Sequence, residues 1–301
     1  MATAAIEPLT NGNVPTDLPR VDGVRHQFVQ ARGIRFHVAE AGDKDAPPVV
    51  MVHGWPSNWY CWRDHFEPLA AAGLRPIAID LRGFGWSEAT KRGYRKHQLA
   101  LDVLAVLDAM GVERFRLVGH DWGGFVTFLM ALSEPERVEK LVLVNTGHPY
   151  TPTDMETLKA LGSFWYMLLI GSPLLGPALT RAGVIPNLVI KQCVADGSWT
   201  EEEGRLYFDH IDPVAAQQVY GSFVYGGELA SSIGGKYVGT RLRVPTLFLY
   251  GDRDIAIKPP MLRGLEDHAD DYRLEVMPGL THFCIEQSPE IVVPKIVSFV
   301  R

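Results

Sequence analysis

The sequence predicts an α/β fold: a mostly parallel sheet covered by helices on both faces and split by a helical insertion. Three observations carry this reading. From Pro48 onward, short apolar runs alternate with segments of helical spacing, the pattern of strand–helix–strand units whose sheet is buried on both sides. That alternation stops at Gly147 and resumes near Thr240. Three reactive side chains, Asp121, Asp254 and His282, each fall in a loop just after a strand-like run.

The elements follow in order. Residues 1–20 are rich in Pro, Thr, Asn and Gly and read as a loose tail. HQFVQ and IRFHVAE flank the turn ARG and form a hairpin. PVVMVHG is a buried strand leading to a loop and helix, and RPIAIDL is a second strand. KHQLALDVLAVLDAMG has helical apolar spacing and stops at Gly111. FRLVGH is a third strand, WGGFVTFLMALSEP a helix ended by Pro135, and VEKLVLVNT a fourth strand. TLFLYGDRD restores the alternation after the insertion, followed by a helix, the strand RLEVMPG and a last helix from Pro289. The core therefore comprises 21–146 and 241–301, and residues 147–240 form a helical lid, or cap.

Composition narrows the function. The chain has 301 residues, 47% hydrophobic and 21% charged, as in ordinary globular proteins. A net charge of −6 with no long basic run gives nucleic-acid binding little electrostatic support. Three scattered cysteines (Cys61, Cys193 and Cys284) without a CxxC pair fit reduced thiols in a cytoplasmic protein and no zinc finger. The N-terminus lacks the pattern of a secretory signal. The most apolar stretch, residues 164–179, is too short and too interrupted by Gly and Pro to span a bilayer. The loop RGFGWSE lacks the third glycine of a dinucleotide-binding turn. No cofactor or metal is expected, and oligomeric state leaves no mark on the sequence.

The chemistry centres on GHDWGG, residues 119–124, set between a strand and a helix. Small residues framing one reactive side chain outline a nucleophile elbow, with Asp121 as the nucleophile. Asp254 and His282 supply an acid and a base, and reactive groups of parallel sheets gather at the carboxyl ends of strands. A single Asp in a turn is ordinarily a cap, and a single His ordinarily belongs to surface or core. Three such groups in the order nucleophile, acid, base, each at a strand end, are poorly explained that way. Asp252 is the rival acid, and Asn145, being uncharged, is a poorer partner for a histidinium. The backbone N–H groups of Trp55, in HGWP, and Trp122 form a two-donor oxyanion hole, while both indoles can also fill the core. Pro56 can hold the preceding peptide bond cis.

A carboxylate at the elbow differs from a hydroxyl there. It is ionised at neutral pH and needs no deprotonation to attack. It can displace a leaving group from a saturated carbon, giving an alkyl ester of the enzyme. A water activated by the histidine then hydrolyses that ester. Epoxides and alkyl halides are the substrates with such a carbon.

HGWPSNWYCWRDHFEPLAAAG, DLRGFGWSE, GHDWGG, SEPERV, GDRD and GLTHF resemble the epoxide hydrolases of the α/β-hydrolase fold, from the first hairpin to the last helix. The resemblance implies that fold, the covalent-ester mechanism, and two lid tyrosines that donate hydrogen bonds to the opening epoxide oxygen. SFWYMLL resembles the first tyrosine segment and AAQQVYGSF the second, which implies Tyr166 and Tyr220 as donors, with Tyr225 a rival for the second. Gly221 departs from the bulkier residue usual beside the second tyrosine. Aromatic residues at helical spacing are otherwise core. Phe164, Trp165 and Met167, with Leu168 and Leu169, suggest an apolar substrate pocket. The expected reaction takes a small apolar epoxide and water to a vicinal diol. The alternatives are a haloalkane dehalogenase, which shares HDWG but usually has another donor at the Trp55 position, and a non-catalytic ligand-binding protein of the same fold.

Overall fold

The computed structural model describes residues 5–9, 14–162, 164–233 and 235–301. Its strands are β1 (Ile6–Pro8), β2 (Arg25–Ala31), β3 (Ile34–Glu40), β4 (Pro48–Val52), β5 (Arg75–Ile79), β6 (Phe115–His120), β7 (Val138–Val144), β8 (Thr246–Gly251) and β9 (Tyr272–Met277). They form one nine-stranded sheet in the order β1-β2-β3-β5-β4-β6-β7-β8-β9. Pairing is antiparallel from β1 to β5 and parallel from β5 to β9. The central strands are apolar without alternation and buried at nearly every position, as a sheet covered on both faces requires. The chain order reverses at β4, which has β5 on one side and β6 on the other. That is the crevice where parallel sheets place their sites.

Helices α1 (Phe66–Ala71), α2 (Lys96–Ala109) and α3 (Trp122–Ser133) follow β4, β5 and β6. Every residue of α3 from Trp122 to Ala131 is buried. At Gly123 the helix lies so close to β4 that a Cβ would collide with the carbonyl oxygens of Val52 and His53. Arg82, after β5, forms a buried bidentate pair with Asp102 of α2, at 2.6 Å for each bond.

Between β7 and β8 the described residues form seven helices and no strand of the sheet: α4 (Met155–Gly162), α5 (Trp165–Gly171), α6 (Leu175–Arg181), α7 (Val184–Ala195), α8 (Glu201–Asp209), α9 (Pro213–Val224) and α10 (Glu228–Ile233). Local chemistry fixes their starts. Thr200 and Glu203 form a reciprocal capping box on α8. Asp212 caps α9, with Pro213 in its first turn. The chain ends with α11 (Cys284–Gln287) and α12 (Pro289–Val300).

A buried polar joint ties these helices to the core. The Glu286 carboxylate of α11 accepts hydrogen bonds from the Tyr207 hydroxyl of α8, from Trp199 Nε1 at 2.9 Å and from Arg63 Nη1 at 2.8 Å. The other arm of Arg63 reaches Glu203 of α8 at 2.5 Å. Each charge is thereby paired and hydrogen-bonded, the condition under which buried charges are tolerated.

Two segments differ from the sequence reading. In the tail, Ile6–Pro8 pairs with β2 as an edge strand, and Leu18 is buried. Residues 1–4 and 10–13 of that tail lie outside the described residues. After β8 the expected helix is replaced by a single 3₁₀ turn, Pro259–Leu262. Two consecutive prolines start that turn, and each removes a backbone donor.

Replacing Gly123 with alanine should therefore force α3 away from β4. The expected loss is about 3 kcal/mol, the upper range for overpacking, read from the denaturant midpoint. A variant as stable as the parent would show that the helix–strand approach is not tight.

Candidate active site

Asp121 is the residue between β6 and α3. Its backbone has φ 50° and ψ −126°, a conformation rare for a residue with a side chain. The turn is held from both sides. Asp121 N–H donates to the Val144 carbonyl at 3.2 Å, and the Thr146 hydroxyl donates to the Asp121 carbonyl at 2.6 Å. The carboxylate is thus presented at the carboxyl ends of the central strands, next to the loop that leaves β4. There Trp55 N–H donates to Asp121 Oδ2 at 2.8 Å, and the backbone N–H of Trp122 helps to hold the carboxylate pKa down. Gly54 permits this approach, because a Cβ there would meet the carboxylate itself. The Trp55–Pro56 peptide bond is cis.

His282 faces Asp121, with Nε2 3.5 Å from Oδ1. Behind it, Nδ1–H donates to Asp254 Oδ2 at 2.8 Å. The other Asp254 oxygen accepts the backbone N–H groups of Ala256 and Ile257 at 2.6 and 2.9 Å. Asp252 is elsewhere: it is exposed and accepts Gly279 N–H at 2.7 Å, so it shapes the turn. Asn145 does not touch the imidazole. Its amide donates to the carbonyls of Thr281 and His282 at 2.7 and 2.8 Å, while its Oδ1 accepts Gly251 N–H at 2.8 Å. It pins the histidine loop over the end of β8. His120 Nε2–H also donates to the His282 carbonyl, at 2.8 Å. Burial and the nearby His282 lower the pKa of His120 to about 4, so it is neutral.

The electrostatics are coupled. Burial opposes a charge on His282, but the Asp254 and Asp121 carboxylates outweigh it and raise its pKa to about 10. Burial likewise opposes charge on Asp121, and His282 with the backbone donor lowers its pKa below the ordinary carboxylate value. The free site therefore pairs an anionic Asp121 with a cationic His282 at neutral pH. Because the folded state raises the His282 pKa, its contribution to stability is complete below pH 6.5 and is lost as pH rises through about 10.

Asp121 and His282 line a cavity of about 540 Å³ enclosed by the insertion helices. Its walls include Trp55, Trp122, Phe125, Phe164, Met167 and Phe223. Trp165 also lines it but is 67% exposed, which places it at the rim. Leu169 lines the cavity, whereas Leu168 faces outward. Tyr166 of α5 and Tyr220 of α9 both line it, with ring centroids 6.3 Å apart. Burial, then the charges of Asp121 and Asp254, raise the Tyr166 pKa, and burial, Tyr166 and Asp121 raise that of Tyr220. Both are neutral hydroxyl donors. Tyr225 is exposed and donates to the Leu168 carbonyl at 2.8 Å. Among the described residues, no cluster of His, Cys, Asp or Glu could hold a metal ion, and no helix is long and apolar enough to cross a membrane.

The sheet order, the elbow between β6 and α3, and the facing carboxylate and imidazole define an enzyme of the α/β-hydrolase fold. A family described as the alpha/beta hydrolase fold matches residues 47–172. The relatives give the next step. Epoxide hydrolase 3 of Xenopus tropicalis is 28% identical over 287 residues, covering 92% of this chain and 78% of that protein. The AB hydrolase superfamily protein YfhM of Bacillus subtilis (strain 168) is 41% identical over 132 residues, 43% of this chain and 46% of that protein. Among solved structures, the epoxide hydrolase VrEH1 of Vigna radiata superposes with a TM-score of 0.78 at 25% identity, covering 94% of this chain and 99% of that one.

Sequence reasoning missed two groups that shape this site. The sequence presents Asn145 only as a candidate partner for the histidine ring. Lys96 stands in an ordinary helix, in phase with the buried stripe Leu99, Ala100, Val103, Leu104 and Leu107. A lysine in that phase is the signal that could have found it.

Exchanging Asp254 for Asn should remove the largest influence holding a proton on His282, so its pKa should fall steeply in an NMR titration of the imidazole. Asp252→Asn should leave it in place. The opposite pattern would make Asp252 the partner.

Proposed function

We propose that the protein is an epoxide hydrolase that opens an apolar epoxide through a covalent ester on Asp121. The observation that carries this reading is that one apolar cavity holds an anionic carboxylate, a histidine 3.5 Å away and two neutral tyrosines. An opening epoxide leaves an alkoxide, which needs O–H donors, and Tyr166 and Tyr220 supply them. A departing halide has no such need. The similarity to epoxide hydrolases over nine-tenths of the chain supports the same assignment.

The coupled charges give the steps an order. Asp121 attacks an epoxide carbon, and the C–O bond to the ring oxygen breaks. The alkoxide accepts hydrogen bonds from Tyr166 and Tyr220. Esterification removes the charge of Asp121, one of the influences that hold the proton on His282. The imidazolium proton is thereby released to neutralise the alkoxide, leaving a free base. His282 then takes a proton from water, and the hydroxide adds to the ester carbonyl. The N–H groups of Trp55 and Trp122 face the resulting oxyanion. Collapse expels the second diol oxygen, which takes the remaining water proton. Asp121 is again anionic and His282 again cationic. Asp254 keeps the imidazole oriented throughout.

The helices between β7 and β8 act as the lid, contributing both tyrosines and most of the apolar wall. Substrate and water are the only reactants. The three cysteines, buried and unpaired, support a cytoplasmic setting. Diol release from a simple aromatic epoxide, scored beside halide release from haloalkanes, separates this reading from a dehalogenase and from a binding protein.

Phenylalanine at Tyr166 or Tyr220 removes one donor to the alkoxide and should cost on the order of 10²–10³ in rate with the fold intact. Near-normal turnover in both variants would remove them as the acid pair. Isotope and mass measurements address the ester. One turnover in ¹⁸O-water with enzyme in excess should give mostly unlabelled diol and leave label on Asp121. His282→Gln should accumulate an adduct of substrate mass on the peptide containing Asp121. Labelled diol in the first turnover, with no adduct in that variant, would mean direct attack by water.

A further inference from the structure

Lys96 is a fully buried cation that the steps above do not use. It is the first residue of α2, where a positive charge meets the positive end of the helix dipole. Burial costs it further, and stability alone gives little reason for its choice. Its ammonium donates to the Val219 carbonyl and lies 3.4 Å from Ser222 Oγ, both on α9. Glu228 of α10 is 3.5 Å away and also accepts Lys96 N–H at 2.8 Å. The same ammonium sits 4.1 Å from the centre of the Trp122 ring. Tyr220 follows Val219 in sequence and packs edge-on against Trp122, at 5.5 Å and 81°.

One side chain thus touches the residue that follows Asp121 in the elbow and the helical turn that carries Tyr220. We propose that Lys96 is a positioning residue for ring opening, locking Trp122 and Tyr220 in one register so that attack at carbon and donation to the alkoxide occur together. A cation–aromatic contact shielded from water supplies the rigidity. Its charge also favours the alkoxide formed nearby. Ester hydrolysis shares the Trp122 N–H but takes no hydrogen bond from Tyr220 and draws its base from His282 and Asp254. Loss of Lys96 should therefore weigh more on ester formation than on ester hydrolysis.

The inference rests on the epoxide hydrolase reading, so the first measurement is wild-type turnover of a simple aromatic epoxide. No diol and no ester there would defeat that reading rather than this one. Given turnover, rapid-mixing single turnovers resolve ester formation from ester hydrolysis. Lys96→Met should slow ester formation by about tenfold or more, the size of a desolvated cation–aromatic contact, and slow ester hydrolysis clearly less. Lys96→Gln keeps an N–H donor without the charge and serves if the Met variant does not fold. Combination with Tyr220→Phe should give less than the product of the separate losses, because both act through one hydroxyl.

A pH profile provides a readout that packing alone would not move. Burial lowers the Lys96 pKa to about 8, with Glu228 and Asp121 the charges that oppose the shift. Wild-type ester formation should decline as pH rises through about 8, and that limb should be absent in both variants. Equal slowing of both half-reactions, full additivity with Tyr220→Phe, or an unchanged pH limb would overturn the proposal.

Discussion

A carboxylate held in a left-handed elbow between neighbouring parallel strands sets the demands on everything around it. The conformation of Asp121 costs on the order of 1–3 kcal/mol, so the surroundings must over-determine it. They do so with the Val144 carbonyl, the Thr146 hydroxyl and a helix seated directly on β4. Because β4 and β6 are adjacent, the loops leaving them bring the Trp55 and Trp122 donors to the same carboxylate. Neither loop needs to be long or mobile to do this.

The second half of the site is harder to build, since His282 follows β9 at the sheet edge. Its loop must cross the end of β8 to reach Asp121. Asn145 makes that crossing possible by bonding two carbonyls of the histidine loop and one N–H of β8. The imidazole then lies between two carboxylates with different duties. Asp254, bound by backbone donors, is not alkylated in the proposed reaction, while Asp121 loses its charge on alkylation. A single covalent event can therefore change the proton affinity of His282 without any movement of the chain.

Much of this was legible in the sequence because it depends on local patterns. Apolar runs located β4 to β8, the glycine frame located the elbow, and strand ends located Asp254 and His282. The choice of Tyr220 over Tyr225 could not be made that way, since the two lie five positions apart, in α9 and at its end, and differ chiefly in whether they face the cavity or solvent. Resemblance pointed to Tyr220, and packing of α9 against Trp122 and Trp55 gives its environment. The helix expected after β8 gives way to a 3₁₀ turn, because Pro259 and Pro260 each lack the backbone donor a longer helix needs. Lys96 and Asn145 act through contacts more than a hundred residues away in sequence, and no window along the chain contains both partners.

The Glu286 joint bears on how far this scaffold can be rebuilt. Exchange of the insertion for that of a relative is an obvious route to new selectivity. Here Tyr207, Trp199 and Glu203 come from the insertion, whereas Arg63 and Glu286 come from the core. A transplanted segment without those three residues would leave Glu286 buried with fewer donors, four positions from His282. The insertion is therefore no interchangeable cassette: any chimera must carry the partners of Glu286 across the junction or remove its charge from the core.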